Sequence, residues 1–140
     1  MKKFILGLLV CFALCSTQNA SAQVITMGGS AGAVVNTATA YNTLKVDGGY
    51  SYACVQTVIT KVSGTVGGTV TLEGSVDGTN YETVDLSYVC DSVATFTPTN
   101  VATNSVIFVM NGAPYAYYRI KYVGTGTMSA TVTSYFIGKK

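Results

Sequence analysis

Gly68-Thr69-Val70-Thr71-Leu72-Glu73-Gly74-Ser75-Val76-Asp77-Gly78-Thr79-Asn80-Tyr81 is the stretch that decides the fold. Val70, Leu72, Gly74 and Val76 share one parity and Thr71, Glu73 and Ser75 the other, and strand side chains point alternately to opposite faces. One face is expected dry, and the other, carrying Glu73, wet. Asp77-Gly78 is a favoured pair where the backbone must take positive φ, and Asp77 to Asn80 is a suitable length for a hairpin connection. Val84 and Leu86 then continue an apolar parity on the returning side.

Strand-like patterning extends outward from this hairpin in both directions. Upstream, Ala40 to Val46 precedes the turn Asp47-Gly48-Gly49, and Tyr50 to Val62 is long and rich in Tyr, Val, Ile and Thr. Both parities of that second run are apolar, which fits either a central strand covered on both faces or a strand with a bulge. Ser63 to Gly68 is a Gly-rich connection. Downstream, Tyr81 to Leu86 and Tyr88 to Phe96 read as strands, the latter closed by Pro98, which has no N–H to donate to a ladder. Asn100 to Asn104 reads as polar loop and Ser105 to Met110 as a compact apolar strand. Tyr115 to Val123 then sets Ala116, Tyr118, Ile120 and Tyr122 against Tyr117, Arg119 and Lys121. After the turn Gly124 to Thr127, Met128, Ala130, Val132, Ser134 and Phe136 alternate with Ser129, Thr131, Thr133 and Tyr135. The final Lys139-Lys140 reads as a guard against edge-to-edge pairing.

No stretch after the first 22 residues shows a helical period. The expected fold is all-β: a single antiparallel β-sandwich, jelly-roll-like, of about eight strands, over residues 39–140. Gln23 to Asn36, rich in small residues without a period, reads as part of a flexible N-terminal arm over 23–38. Before it, Met1-Lys2-Lys3, the apolar run Phe4 to Leu14 and Ala20-Ser21-Ala22 have the order of a secretory signal peptide over 1–22. That run is short of the ~20 residues that span a bilayer. Leu14 ahead of Cys15 is a poor fit to lipoprotein processing.

Removing the signal leaves Lys45, Lys61, Arg119, Lys121, Lys139 and Lys140 against Asp47, Glu73, Asp77, Glu82, Asp85 and Asp91, so the formal +2 belongs to the signal. Nucleic-acid steering and a stable membrane association are therefore not expected. Cys11 and Cys15 leave as well. Cys54 and Cys90 remain, either as a disulfide suited to an oxidising compartment or as two buried thiols acting as small hydrophobes.

The chain has no histidine, which excludes Ser-His-Asp and Cys-His catalysis and leaves carboxylates as the only acid–base material. Glu73, Glu82 and Asp85 cluster near the hairpin, yet a wet face and a turn account for them without chemistry. Asp77 and Asn80 are a weak calcium candidate that turn geometry explains equally. No cofactor is expected. Ten tyrosines and no tryptophan are the strongest compositional bias. Most read as sheet packing, while Tyr115 and Tyr117, beside the Asn111 to Pro114 turn, and Tyr81 at the hairpin are the candidates for exposed binding residues.

Gly74-Ser75-Val76-Asp77-Gly78-Thr79-Asn80-Tyr81, together with Tyr117-Tyr118-Arg119-Ile120-Lys121, resembles the paired signatures of small β-sandwich modules in phage virion and tail-associated proteins. More distantly, it resembles discoidin-type carbohydrate-binding domains. The resemblance runs from about Asp47 to the C-terminus and implies no active site. Low charge, strong β content, the small-residue arm and the absence of catalytic groups point to a non-enzymatic structural or interaction protein that packs with itself or a protein partner into an assembly. The signal makes it secreted, periplasmic or displayed at a cell surface, and the resemblance adds virion association as one version. The alternative is a secreted adhesion module that binds surface glycans through exposed tyrosines. A small hydrolase ranks last.

Overall fold

In the computed structural model, residues 23–29, 33–86 and 94–139 are described. Every element among them is a strand: β1 (Gln23–Thr26), β2 (Gly28–Gly29), β3 (Val34–Val35), β4 (Thr39–Lys45), β5 (Tyr52–Gly64), β6 (Gly68–Ser75), β7 (Glu82–Thr83), β8 (Thr95–Phe96), β9 (Thr103–Met110), β10 (Tyr117–Gly124) and β11 (Met128–Lys139). The first sheet has the order β1-β11-β5-β9, with β3 also on β11, and the second β2-β4-β10-β6-β7, with β8 also on β6. All ladders are antiparallel.

Successive long strands change sheets. β4 lies in the second sheet, β5 in the first, β6 in the second, β9 in the first, β10 in the second and β11 in the first. Ladder partners therefore come from distant parts of the chain, β4 with β10 and β5 with β9 and β11, which is the wrapped arrangement of a jelly roll. The hairpin that decided the fold is present, with Glu73 opposite Thr83 and Gly74 opposite Glu82, but its returning strand is two residues long.

The interior is built from the apolar parities. β10 alternates half-buried and buried residues along its whole length, with Tyr118, Ile120 and Tyr122 facing in. On β11, Met128, Ala130 and Phe136 do the same. An aromatic chain crosses between the sheets: Tyr115 meets Tyr118 edge-on at 5.7 Å, Tyr118 lies 6.2 Å from Phe136, and Phe136 meets Tyr50 at 5.6 Å. A buried polar contact runs beside it. Asn42 Nδ2 donates to Ser134 Oγ at 3.0 Å and to the Val132 carbonyl at 3.3 Å, and Ser134 Oγ lies 3.2 Å from Thr57 Oγ1. Desolvation of these three groups is compensated inside the sandwich and ties β4 to the opposite sheet.

Several expectations change at this stage. β5 is central, between β11 and β9, but buried on one face: Ala53, Val55, Thr57 and Ile59 face in, while Tyr52 is 60% exposed. Its second apolar parity, Tyr52, Cys54, Val58 and Val62, lies on the less buried outer face, and the strand also carries a bulge. Ala130 pairs with Lys61 and Ser129 with Ser63, so Val62 is skipped. Gln23 to Asn36 is not irregular throughout, since β1 pairs with Tyr135–Gly138, β2 with β4 and β3 with β11. β11 is paired with β5 along its length and with β1 over Tyr135–Gly138, so Lys139 lies one residue past the β1 ladder. Val76 lies on the expected dry parity yet is 76% exposed, since the strand ends at Ser75 and parity stops at the turn. Thr103 and Asn104, expected as loop, belong to β9. Tyr81 to Leu86 contracts to β7; of Tyr88 to Phe96, only β8 is seen, because 87–93 lie outside the described residues.

The β5–β6 connection depends on two glycines. Gly64 has φ +71° and Gly68 φ +129°, and a β-carbon at either would overlap a backbone carbonyl oxygen, that of Thr127 or Val123 respectively. No other residue type lets the chain pass so close to the β10–β11 turn.

Candidate binding face

The outer face of the second sheet carries a compact polar and aromatic surface. In register, Tyr41 of β4 lies opposite Lys121 of β10, Thr43 opposite Arg119, and Lys45 opposite Tyr117. On the other side of β10, Arg119 lies opposite Glu73 and Lys121 opposite Thr71 of β6. Side chains directly or diagonally opposite on one face are within reach of each other. Arg119 is the centre of this surface. Its Nε donates to Glu73 Oε2 at 2.5 Å, and its guanidinium lies 3.9 Å from the Tyr81 ring centroid and 4.6 Å from that of Tyr41. Lys121 Nζ stands 3.5 Å from Glu73 Oε1, and Lys45 Nζ 5.9 Å from the Tyr117 ring.

Glu73 points outward, as parity predicts, but is not wet. It is 6% exposed, because its cross-strand neighbours Arg119 and Lys121 close over it and satisfy its charge. A charged group removed from water without partners is costly, so the pair holds the face together. Glu73 is the counter-charge to two cations and not an isolated acid or base.

The three tyrosine candidates separate. Tyr81 and Tyr117 lie on this face. Tyr115 lies off it, at the rim between the sheets, where its N–H donates to Tyr118 Oη at 3.2 Å. All three are half-buried. Tyr115 covers Gly74 and Tyr117 covers Gly78, at positions where a β-carbon would press on the ring. The expected exposure of Tyr115 and Tyr117 is thus corrected, since each ring fills the space above a glycine. Tyr41, 42% exposed, and Arg119 were missed as site residues; the signal for them was the odd parity of Tyr117, Arg119 and Lys121 once β4 was placed beside it.

Asp77 and Asn80 are held by the turn. Asp77 Oδ1 accepts from the Thr79 and Asn80 N–H groups, both at 2.8 Å, and from Ser75 Oγ, while Oδ2 accepts from Asn80 Nδ2 at 2.7 Å. Gly78 supplies φ +75°. The Asn80 and Thr79 backbone N–H groups, followed by the Asn80 and Ser75 side chains, hold the Asp77 carboxyl well below the usual carboxylate range. The native turn therefore favours the ionised form, and its stabilisation is complete above the unfolded value of about 4 and fades as pH falls below it. Thermal unfolding from pH 7 to pH 2 is expected to show wild type ahead of Asp77→Asn near neutrality, with the gap narrowing on acidification; parallel curves would contradict this role. Among the described residues no three His, Cys, Asp or Glu lie close enough to hold a metal ion.

The outer face of the first sheet differs in character. Register aligns Val24, Ile137, Cys54 and Val109 in one row across four strands, and Thr26, Tyr135, Gln56 and Ile107 in the next. Val24 is 64% and Ile107 57% exposed. Cys54, half-buried in this face, is a free thiol that burial pushes up, so it stays protonated and behaves as a small hydrophobe. Cys90 lies outside the described residues.

No protein-family model matches the chain, and no curated protein does. Solved structures do. The enzymatically active domain of bacteriophage CBA120 tailspike protein 4 is 12% identical with a TM-score of 0.51, over 85% of this chain and 18% of that one. This chain thus spans about a fifth of the tailspike chain. The SPBc2 prophage-derived protein YomS is 10% identical with a TM-score of 0.48, over 86% of this chain and 94% of that one. The xylan-binding CBM22-1 domain of Paenibacillus barcinonensis Xyn10C is 8% identical with a TM-score of 0.43, over 86% and 96%. Phage proteins and carbohydrate-binding modules, the two groups the sequence resembles, are both among the similar structures. At such identities the tailspike likeness supports the sandwich fold alone, and the two matches below 0.5 carry no argument.

Proposed function

We propose that this chain is a non-enzymatic, exported interaction subunit that packs into a larger assembly, secreted or displayed at a surface. The observation that carries this reading is the uncovered apolar outer face of the first sheet, where Val24, Tyr52, Ile107 and Val109 are exposed together. Contiguous exposed apolar surface of this kind marks interaction sites. The chain from residue 23 onward, which contains every described strand, is expected to show concentration-dependent association by size exclusion with light scattering. A strict monomer over a wide concentration range counts against it.

A second reading rests on a separate observation. Tyr41, Arg119 and Tyr81 form a stacked polar and aromatic surface on the opposite side of the sandwich, suited to sugar rings, whose apolar faces stack on aromatics and whose hydroxyls take hydrogen bonds from Arg and Lys. A glycan array of wild type against Tyr41→Ala/Tyr81→Ala addresses it; a blank wild-type array removes it.

A further inference from the structure

The first sheet ends in an unusually unprotected edge. β9 pairs with β5 along its whole length and, among the described residues, with no strand on its other side. Its residues, Thr103-Asn104-Ser105-Val106-Ile107-Phe108-Val109-Met110, include no charge, proline or glycine. Long, apolar edges without such devices pair with further strands. The other sheet edges are formed by β1, β2, β3, β7 and β8, each of two to four residues.

The phase of the β5–β9 ladder fixes which backbone groups face out. Lys61 N–H donates to the Ala102 carbonyl at 2.9 Å, so the pairs bonded to β5 are those of Asn104, Val106, Phe108 and Met110, and the alternate residues Ser105, Ile107 and Val109 aim their N–H and C=O groups away from the sheet. The side chains of those three residues lie on the uncovered apolar face.

We propose that β9 is the contact by which two copies of this chain join, antiparallel about a two-fold axis at Ile107. This rests on the assembly reading above and names its partner. Pairing Ile107 with its own counterpart brings Ser105 opposite Val109 in both directions, and because all three present outward backbone groups, about six hydrogen bonds close the two sheets into one. The arrangement is self-complementary in three ways. The strand has no charge to repel its copy. Each outward donor meets an outward acceptor. The row ending in Ile107 continues into the same row of the second copy. The short outermost strands of a second copy would match β9 over only two to four residues, whereas the isologous pairing takes in the strand from Asn104 to Met110.

The experiment compares association of the chain from residue 23 onward with that of Ile107→Pro and Ile107→Lys. The Ile107 N–H faces away from β5, so proline there removes the central intermolecular donor and leaves the ladder intact, while lysine adds like charges on the axis. Both are expected to raise the dimer dissociation constant at least about tenfold. Should Ile107→Pro lower the melting temperature, Ile107→Lys serves alone. In a Cys54→Ser/Cys90→Ser background, Ile107→Cys is expected to give a disulfide-linked dimer on mild oxidation, since paired Cα atoms about 5.5 Å apart suit the bond, whereas Tyr135→Cys, on the same face two strands inward, is not. Association unchanged by both Ile107 substitutions, or equal cross-linking at Tyr135, overturns the edge contact and leaves assembly by another surface. A monomeric wild type overturns both.

Discussion

Tyr118→Ala is expected to cost about 3–5 kcal/mol, a large share of the roughly 5–15 kcal/mol of ordinary stability. Tyr118 is 0% exposed and joins two ring contacts, edge-on to Tyr115 and tilted against Phe136, so its loss opens a cavity at the point where aromatic packing crosses from one sheet to the other. Urea unfolding followed by tyrosine fluorescence measures this, and a midpoint close to wild type would mean that the sheets do not depend on the crossing. Tyr118→Phe separates packing from polarity. The phenol is pushed up to about 12, first by desolvation, against which the Tyr115 N–H bond acts in the opposite direction. A raised value means that the folded state favours the neutral form, so this contribution is whole below pH 10 and is lost as pH rises from there toward 12. The phenylalanine variant should therefore be weaker than wild type at neutral pH by about 1 kcal/mol, for the unmatched Tyr115 N–H, but lose less of its stability between pH 10 and 12.

Tyr118 also illustrates how much was legible in the sequence. Its inward parity followed from Ala116, Tyr118, Ile120 and Tyr122 alone, because a ladder strand with one dry face writes its burial into every second residue. The same holds for β11 and for the alternating half of β6, and these strands made the sandwich legible. What failed has particular causes. Tyr115 and Tyr117 look exposed in sequence because they flank a turn, yet each covers a glycine that lies 39 or more positions away, Gly78 or Gly74. Glu73 looks solvated by parity, yet Arg119, 46 positions away, closes over it. Both errors arise because jelly-roll wrapping makes nearly all pairings non-local, so a residue's neighbours across the ladder cannot be read from its neighbours along the chain. The short strands β1, β2 and β3 failed for another reason: strands of two to four residues contain at most two periods, too few for a pattern to announce them.

The non-local pair at the centre of the candidate face supports the second large expectation. Arg119→Ala is expected to destabilise by about 2–3 kcal/mol, because it leaves Glu73 enclosed with Lys121 as its remaining cation, at 3.5 Å. Losing one member of a fully buried pair costs about 3–5 kcal/mol, and the Arg119 side chain is 22% exposed, so water recovers part of that. The substitution also removes the plate between the Tyr41 and Tyr81 rings. Glu73→Gln in the Arg119→Ala background removes the orphaned charge while leaving the rings unsupported, and its stability is expected to rise above that of the single variant. Arg119→Lys keeps the charge but loses the planar guanidinium that stacks and forks, so it should recover less than full stability. Chemical denaturation of wild type, Arg119→Ala, Glu73→Gln and the double variant, treated as a double-mutant cycle, measures the coupling; additive effects would show that the ion pair contributes nothing to folding. The same set distinguishes scaffold from binding surface. If the face takes a glycan, the double variant regains stability without regaining binding, since the stacked cation and not the buried charge is what a ligand meets.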